Sequence, residues 1–323
     1  MTSQQREKAI TAVCFAVAAA IIGAWVWFAN TRGLDVARSY GIDVDDLMNC
    51  GTHIKAEDWM IQATICPVVY VLVSGIFMVF DLYLAPNYEG WKIAYPKWKA
   101  KLNHGLYRKA TATVLFNNSM AFFIHLFVLH PAVKAFRSDA MCGEQMPSSA
   151  AQWLMIPVRL VAVYVLTDVV FYFTHRLCHE VPFLYQYIHK YHHQWVDTYA
   201  VAAVAAHPLE HWFVNLHTVS LPCMIAGVPF HWYTVWLGIA VLNTCVTHSG
   251  YQFPGSGAPV THDYHHHLVN CEYGTNVFCD RWLKTSVKDF EAKRAAAGLN
   301  AATRISTNVV GVKKRSVTPN RRG

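Results

Sequence analysis

Three long apolar runs constrain the fold of this chain more than any other feature. They cover Ala9–Phe28, Met60–Phe80 and Trp153–Phe173. A helix rises 1.5 Å per residue, so about 20 apolar residues cross the roughly 30 Å hydrocarbon core of a bilayer. Only 15% of the residues are charged, whereas soluble proteins carry about 25%. The sequence therefore predicts an all-α integral membrane protein.

Two weaker patterns extend the membrane-embedded region. The run Thr111–Leu129 is interrupted by four polar residues, Asn117, Asn118, Ser119 and His125. Its length still predicts a fourth transmembrane helix. Pro229 separates the stretches Trp212–Val228 and Trp232–Val246, which predicts a helical hairpin that dips into the membrane. We therefore expect about four transmembrane helices plus this hairpin.

Basic residues are unevenly distributed along the chain. Residues 85–109 carry six Lys or Arg against one acidic residue, whereas residues 30–58 carry three against six. The positive-inside rule then places the first segment in the cytosol and the second outside it. From Lys284 onwards the chain carries ten basic and two acidic residues, which favours a cytosolic tail near an anionic lipid surface. No nucleic-acid-binding motif accompanies this charge, so we expect no nucleic-acid partner.

Histidines are concentrated in one part of the chain, because 14 of the 18 lie between His175 and His267. Residues three and four apart lie on one face of a helix, so closely spaced histidines can direct their imidazoles to a common point. His207, which begins a His-Pro-Leu-Glu sequence, is one isolated candidate ligand. Three clusters with ligand spacing and one further isolated residue complete the candidate set: His175 and His179; His189, His192 and His193; His248; His262, His265 and His266.

The size of this set predicts more than one ion. A single zinc ion takes about four ligands, so nine or ten imidazoles predict a site for two metal ions. Imidazole suits iron, copper, zinc and nickel, and the residues alone leave the metal open. On the predicted topology every cluster lies at the cytosolic membrane face. We therefore expect a histidine-rich di-metal site there.

The motifs HxxxH, HxxHH and HxxHH, in this order, resemble the sterol desaturase/fatty acid hydroxylase superfamily. The resemblance extends from about Tyr164 to Thr285. Within it, His207-Pro208-Leu209-Glu210 and His248-Ser249-Gly250-Tyr251 are similar to the C4-methylsterol oxidase and sterol hydroxylase branch. The chain departs from the family's closing Trp-Asp-Arg-x-Phe-Gly-Thr pattern, in whose place it has Cys-Asp-Arg-Trp-Leu-Lys-Thr.

The resemblance implies a function, a set of cofactors and a location. It implies an O2-dependent lipid monooxygenase with two iron ions bound by the nine clustered histidines, with His207 as a ligand or close neighbour. Its electrons would come from NAD(P)H through cytochrome b5 or its reductase. The location would be the endoplasmic reticulum membrane, with the metal site and both termini in the cytosol. Methyl-sterol oxidation in sterol biosynthesis is the favoured reaction.

Other functions remain open at this point. Fatty-acyl or sphingoid hydroxylation and sterol C5 desaturation would use the same ligands. A zinc hydrolase needs one open-site ion, and a histidine-rich metal transporter is the non-enzymatic alternative. On the favoured interpretation the chain divides into N-terminal membrane helices (1–150), a di-iron catalytic region (151–285) and a basic, disordered tail (286–323).

Three acidic residues are predicted to support the ligands. Metal-binding histidines usually donate their second N–H to a carboxylate or a carbonyl. Asp168 lies two helical turns before His175 inside an apolar run, where an acid is costly and typical of function. Glu210 and Asp263 lie close to candidate ligands in the sequence, and for Asp263 a helix-start role is an equal alternative. The polar residues of the fourth run could line the substrate's path or form interhelical hydrogen bonds.

Overall fold

A computed structural model describes residues 1–39, 56–84, 91–93, 102–124, 147, 149–252 and 258–296. In these ranges the chain is helical apart from loops and one isolated β-bridge, between Lys92 and Tyr251. The expectations for His125 and for the tail after residue 296 lie outside the described residues. The all-α fold class predicted from the apolar runs is confirmed.

Twelve α-helices are described in these ranges, and three of them are long and apolar enough to cross a membrane. In chain order they are α1 (Ser3–Phe28), α2 (Leu34–Ser39), α3 (Ala56–Val79), α4 (His104–Ile124), α5 (Ala150–Glu180), α6 (Pro182–Tyr187), α7 (Pro208–Glu210), α8 (His217–Ala226), α9 (Phe230–Thr247), α10 (Ala258–Leu268), α11 (Phe278–Leu283) and α12 (Val287–Ala296). Shorter helical turns cover the segments Ala29–Gly33, Phe80–Leu84, His189–Gln194, Ala200–Ala202 and His211–Leu216.

The candidate membrane spans coincide with the three apolar runs of the sequence. They are Ser3–Arg32, Thr64–Leu84 and Ala150–Glu180. The predicted fourth run begins on α4, but residues 125–129 lie outside the described ranges, so its crossing of the membrane stays a prediction. The predicted hairpin corresponds to α8 and α9. Its turn contains Gly227 in the left-handed conformation (φ 63°), a conformation that glycine adopts without steric cost.

The longest helix, α5, begins and ends at residues that explain its limits. Ser149 forms a capping box, because its hydroxyl accepts from the Gln152 N–H and its own N–H donates to the Gln152 side chain. Pro182 disfavours helical geometry at Val181, the residue before it, and α5 ends there. The 31 residues of α5 thereby extend from the apolar region to the histidine clusters.

An irregular segment, residues 198–206, lies largely buried among α3, α4 and α9. Side chains from these neighbours satisfy its backbone. Tyr70 donates to the Val201 carbonyl at 2.8 Å, and the Asn117 amide donates to the Val204 and Ala206 carbonyls at 3.1 and 3.0 Å. Buried backbone carbonyls need such partners. Asn117 therefore supports the fold through hydrogen bonds from its helix to this segment, whereas hydrogen bonds between helices were one of the two roles expected.

Candidate metal centre

Helix ends and short turns bring the histidine clusters together. His175 and His179 lie one turn apart on the last part of α5, and the short 3-10 turn His189–Gln194 carries the second cluster. His248 caps the C-terminus of α9, and α10 carries the third cluster. Four separate elements therefore direct imidazoles to one region.

Five of these imidazoles form the first group, called here the five-histidine group. All five are buried, and their ligand nitrogens lie within 4.8 Å of one another. Neighbouring Nε2 atoms are 2.7 to 3.3 Å apart. The members are His175, His179, His189, His193 and His265.

Four further imidazoles form the second group, called here the four-histidine group. Its ligand nitrogens also lie within 4.8 Å of one another. The Nε2 contacts along it measure 3.3, 2.8 and 3.0 Å. Its members are His192, His248, His262 and His266. The two groups adjoin, since the rings of His193 and His266 have centroids 4.9 Å apart.

The nitrogen spacing fits metal coordination. An imidazole nitrogen binds a metal ion at about 2.0–2.1 Å, so two ligands at a right angle would be about 3.0 Å apart. The observed contacts scatter around this length. The spacing in each group is therefore that of nitrogens surrounding a common ion.

Hydrogen bonds at the other ring nitrogen determine the tautomer of five of these histidines. In four cases Nδ1 faces a backbone carbonyl, which can only accept, and His189 Nδ1 faces the Glu210 carboxyl, which accepts when it is ionised. Nδ1 then carries the hydrogen and Nε2 presents a lone pair. The five contacts are His175 to the Tyr273 carbonyl (2.8 Å), His265 to the Cys271 carbonyl (2.7 Å), His248 to the Thr244 carbonyl (2.9 Å), His192 to the Ala205 carbonyl (3.3 Å) and His189 to the Glu210 carboxylate (2.7 Å).

Lone pairs that face one another need a cation between them. Protonation does not supply it readily, because burial lowers the pKa of His189 and of His265 and keeps these rings neutral. A neutral imidazole is the form that binds a metal ion. The donor set, its spacing and its tautomers thus all fit metal ions, and both groups can hold one.

Glu210 lies where a supporting carboxylate was expected. Its Oε1 accepts the hydrogen bond from His189 Nδ1, and both side chains are buried. Burial raises the pKa of the Glu210 carboxyl above its ordinary range. The contact orients the His189 ring and fixes its tautomer.

Asp168 and Asp263 contact no histidine of either group. Asp168 accepts hydrogen bonds from the backbone N–H groups of Asn276 and Cys279, at 2.7 and 3.0 Å. Helical side chains point towards the N-terminus of their helix, so this carboxylate reaches the loop beside α5 and not the imidazole two turns later. Asp263 accepts from the Thr198 hydroxyl at 3.5 Å, and its Oδ2 lies 3.7 Å from His267.

His207 lies outside both groups. Its Nδ1 accepts a hydrogen bond from the Leu209 N–H at 3.3 Å, so the side chain caps the short helix α7. This contact occupies one ring nitrogen with local structure. The sequence motif that suggested a ligand here instead contributes Glu210, three residues later.

The loop of residues 269–277, which lies outside the three histidine motifs, positions the five-histidine group. It supplies the Cys271 and Tyr273 carbonyls. Three of its residues, Val269, Glu272 and Val277, have positive φ (69°, 55° and 59°), which costs about 1–3 kcal/mol each for such side chains. Asp280 compensates by accepting the Tyr273 and Gly274 N–H groups at 2.9 and 2.7 Å.

Gly274 fits between the two buried carboxylates of this region. A Cβ at this position would lie 2.6 Å from Asp168 Oδ1 and 3.0 Å from Asp280 Oδ2. Only glycine fits there without a shift of the loop. Asp168 therefore contacts the loop that carries the Cys271 and Tyr273 carbonyls, and it makes no direct contact with the histidine groups.

A cavity of about 440 Å³ extends from the histidines into the helical region. At one end it is lined by His175 and His189 of the five-histidine group, together with three members of the other group, His192, His248 and His262. Apolar side chains line it elsewhere, including Ile22 and Pro67 of two candidate membrane spans and Leu237 of α9. The candidate metal centre therefore lies at the end of a lipid-sized cavity.

Residues 160–285, which contain all nine grouped histidines, match the fatty acid hydroxylase family. This region is a fatty acid hydroxylase domain. The superfamily expected from the three histidine motifs is confirmed.

Individual relatives carry different activities in their names. Human fatty acid hydroxylase domain-containing protein 2 is 31% identical over 202 residues, 62% of this chain and 58% of the relative. A putative methylsterol monooxygenase of Dictyostelium discoideum is 32% identical over 185 residues, 54% of this chain and 66% of the relative. A very-long-chain aldehyde decarbonylase of Oryza sativa is 30% identical over 177 residues, 50% and 64% respectively. The chain thus spans less than two thirds of each relative, and no solved structure matches it significantly.

Proposed function

We propose that this protein is a membrane non-haem di-iron oxygenase that hydroxylates a lipid with O2, with a C4-methyl sterol as its substrate. One observation carries the proposal: nine imidazoles, most of them fully buried, present their nitrogens in two adjoining groups at the end of an apolar cavity. The domain match and the candidate membrane spans support it.

Two ions, one in each group, are the simplest occupancy. His192 and His193 are consecutive residues that belong to different groups, so the two ions would be neighbours. The nine grouped histidines would be the iron ligands. Bound iron would supply oxidation of an unactivated C–H bond by O2, chemistry that no amino-acid side chain provides.

The protein's own residues hold this centre and separate it from water. Backbone carbonyls and Glu210 fix the ring orientations, so the ligand nitrogens are positioned before a metal arrives. The cavity reaches Ile22 and Trp25 on α1 and Leu237 on α9. A lipid could therefore reach the metals from the bilayer without passing through water.

The choice of a sterol has two supports. The motifs around His207 and His248 are similar to the C4-methylsterol oxidase branch, and one relative is a putative methylsterol monooxygenase. The rice relative supports a second candidate, oxidation of a long-chain aldehyde. Fatty-acyl or sphingoid hydroxylation and sterol C5 desaturation would use the same centre.

The proposed setting follows the charge distribution. The basic segments 85–109 and 284–323 support a cytosolic position for the metal centre and both termini. We place the protein in the endoplasmic reticulum membrane, in sterol biosynthesis, with electrons delivered from NAD(P)H by cytochrome b5 or its reductase. Phe278 and Trp282 on α11 are exposed and are available to such a donor or to lipid.

Lipid profiles of cells with and without the gene test the substrate. Accumulation of 4-methyl sterols in the deficient cells is the expected result. An unchanged sterol pool with altered hydroxy-acyl lipids or aldehydes would contradict the sterol assignment. An unchanged lipid profile together with altered cellular metal content would instead favour the transporter alternative.

A further inference from the structure

Two polar side chains at the metal end of the cavity have no partner in the protein. His211 is 5% exposed and follows Glu210, whose carboxylate binds His189; its Nδ1 is buried without a hydrogen bond. Thr247 precedes His248, and its Oγ1 is also buried without a hydrogen bond. Both residues line the cavity. One unpaired polar group thus follows the carboxylate that binds His189, and the other precedes His248 of the four-histidine group.

The free hydroxyl of Thr247 contrasts with other helical threonines of the chain. Thr111, Thr174 and Thr244 each donate to the carbonyl four residues earlier, which is the usual way that a helix satisfies this side chain. Thr247 makes no such bond. A buried polar group without a partner is unfavourable, and a ligand in the cavity would supply the missing partner for both residues.

The charge of the lining restricts the ligand. Among the described residues that line the cavity there is no lysine or arginine, and the one carboxylate is Glu210. Burial lowers the pKa of His211 to about 4, so that ring is neutral as well. The lining residues supply no counter-charge to a carboxylate or a phosphate, so an anion could be held only at the metal ions, and burying it elsewhere in the cavity is costly.

We propose that His211 and Thr247 bind the hydroxyl or carbonyl oxygen of an uncharged lipid, and that this oxygen lies within a few bonds of the carbon to be oxidised. The proposal rests on the proposed function and makes its substrate class narrower. A 4-methyl sterol with a hydroxyl on the neighbouring ring carbon belongs to the class. Free fatty acids, and lipids oxidised far from their polar group, do not.

The test compares two sterols that differ in one hydroxyl. Binding of 4α-methylcholestan-3β-ol and of 4α-methylcholestane is measured on the full chain in lipid nanodiscs, with hexadecanoate as the charged probe. The wild-type protein is expected to bind the alcohol roughly tenfold more tightly than the hydrocarbon, the ratio that one or two net hydrogen bonds provide. Hexadecanoate is expected to bind more weakly than the alcohol once the metal ions have been removed, because the lining itself offers no counter-charge.

Isosteric variants then locate the contact. Thr247→Val and His211→Phe should each bring the ratio close to one and leave hydrocarbon binding intact. Thr218→Val is the matched control, because this cavity threonine also has a buried, unpaired Oγ1 but lies seven residues beyond His211. It should keep the ratio. The proposal would be overturned if Thr218→Val lost the preference for the alcohol over the hydrocarbon while Thr247→Val and His211→Phe kept it. It would also be overturned if hexadecanoate bound to the metal-free protein as tightly as the alcohol.

Metal analysis of the same preparations separates this inference from the proposed function. A protein with the expected sterol ratios but without iron would contradict the di-iron oxygenase and leave the binding site in place. A protein with two irons that oxidises a sterol but binds both sterols equally would contradict the binding site alone.

Discussion

The two histidine groups share ligand chemistry but differ in how the protein holds them. The five-histidine group is fully buried, and a loop outside the histidine motifs supplies two of its supporting carbonyls. The four-histidine group contains the partly buried His262, and three of its four members line the cavity. Two of the five members of the first group line the cavity, against three of the four members of the second, so the second group is more open to the cavity. Two neighbouring groups can therefore differ both in the number of histidines and in the hydrogen bonds that hold those histidines in place.

The largest expected effect comes from removing a ligand. His262→Ala leaves three ligands in its group, whereas His265→Ala leaves four. We expect both variants to lose lipid oxidation by more than about a hundredfold, since even supporting residues of metal sites are worth 10–100-fold. We expect the iron content to fall further in His262→Ala. His231→Ala, outside both groups, is the control. Equal iron loss in both variants would show that the two groups do not differ in how firmly they hold iron.

The next effect concerns the carboxylate beside the five-histidine group. Glu210→Gln weakens the hydrogen bond that orients His189, so iron affinity at this group should fall about 10–100-fold. Titration with iron, which resolves the first and second ion, measures it. Glu180→Gln is the matched control, since that side chain is exposed and paired with Arg176. If Glu210→Gln weakened binding only of the ion at the four-histidine group, the assignment of Glu210 to the five-histidine group would be contradicted.

A smaller effect is expected from the loop. Gly274→Ala forces a Cβ against Asp168 and Asp280 and moves the Tyr273 carbonyl away from His175. Overpacking of this kind costs about 1–3 kcal/mol. We expect a lower thermal midpoint and weaker iron binding at the five-histidine group. Gly23→Ala, where a Cβ meets nothing within 4 Å, should show neither. Identical behaviour of the two variants would show that the loop does not position the centre.

The smallest effect concerns the four-histidine group. Asn117 binds the carbonyls on either side of Ala205, and the Ala205 carbonyl accepts from His192 Nδ1. Asn117→Leu should lower the thermal midpoint by a few degrees, because a buried hydrogen bond contributes about 1 kcal/mol. Iron binding at this group should weaken a few-fold. Ser119→Ala, which removes a hydroxyl bonded within its own helix, is the control. Weaker binding at the five-histidine group only would contradict the link.

Local patterns made part of this structure predictable from sequence. The apolar runs predicted the long helices because a helix can satisfy its own backbone in lipid. The spacing of the clusters placed imidazoles on common faces before their partners were known. Glu210 was accessible to prediction because it lies close to the ligands along the chain.

Other features could not be read from residue identity. Every residue has a carbonyl, so nothing marks Tyr273, Cys271 or Ala205 as the partners of the ligands. The left-handed backbone at Val269 and Val277 contradicts the preference of valine and depends on tertiary contacts. Asp168 was expected beside the ligands on helical periodicity alone. The direction of its side chain and the neighbouring loop gave it a different role.

The iron content of the purified full-length protein tests the central claim most directly. Mass spectrometric metal analysis of protein from iron-supplemented cells should find two iron ions per chain and little zinc. A single zinc ion per chain would contradict a di-iron centre formed by the two histidine groups. The absence of bound metal from folded protein that has been purified together with lipid would contradict it as well.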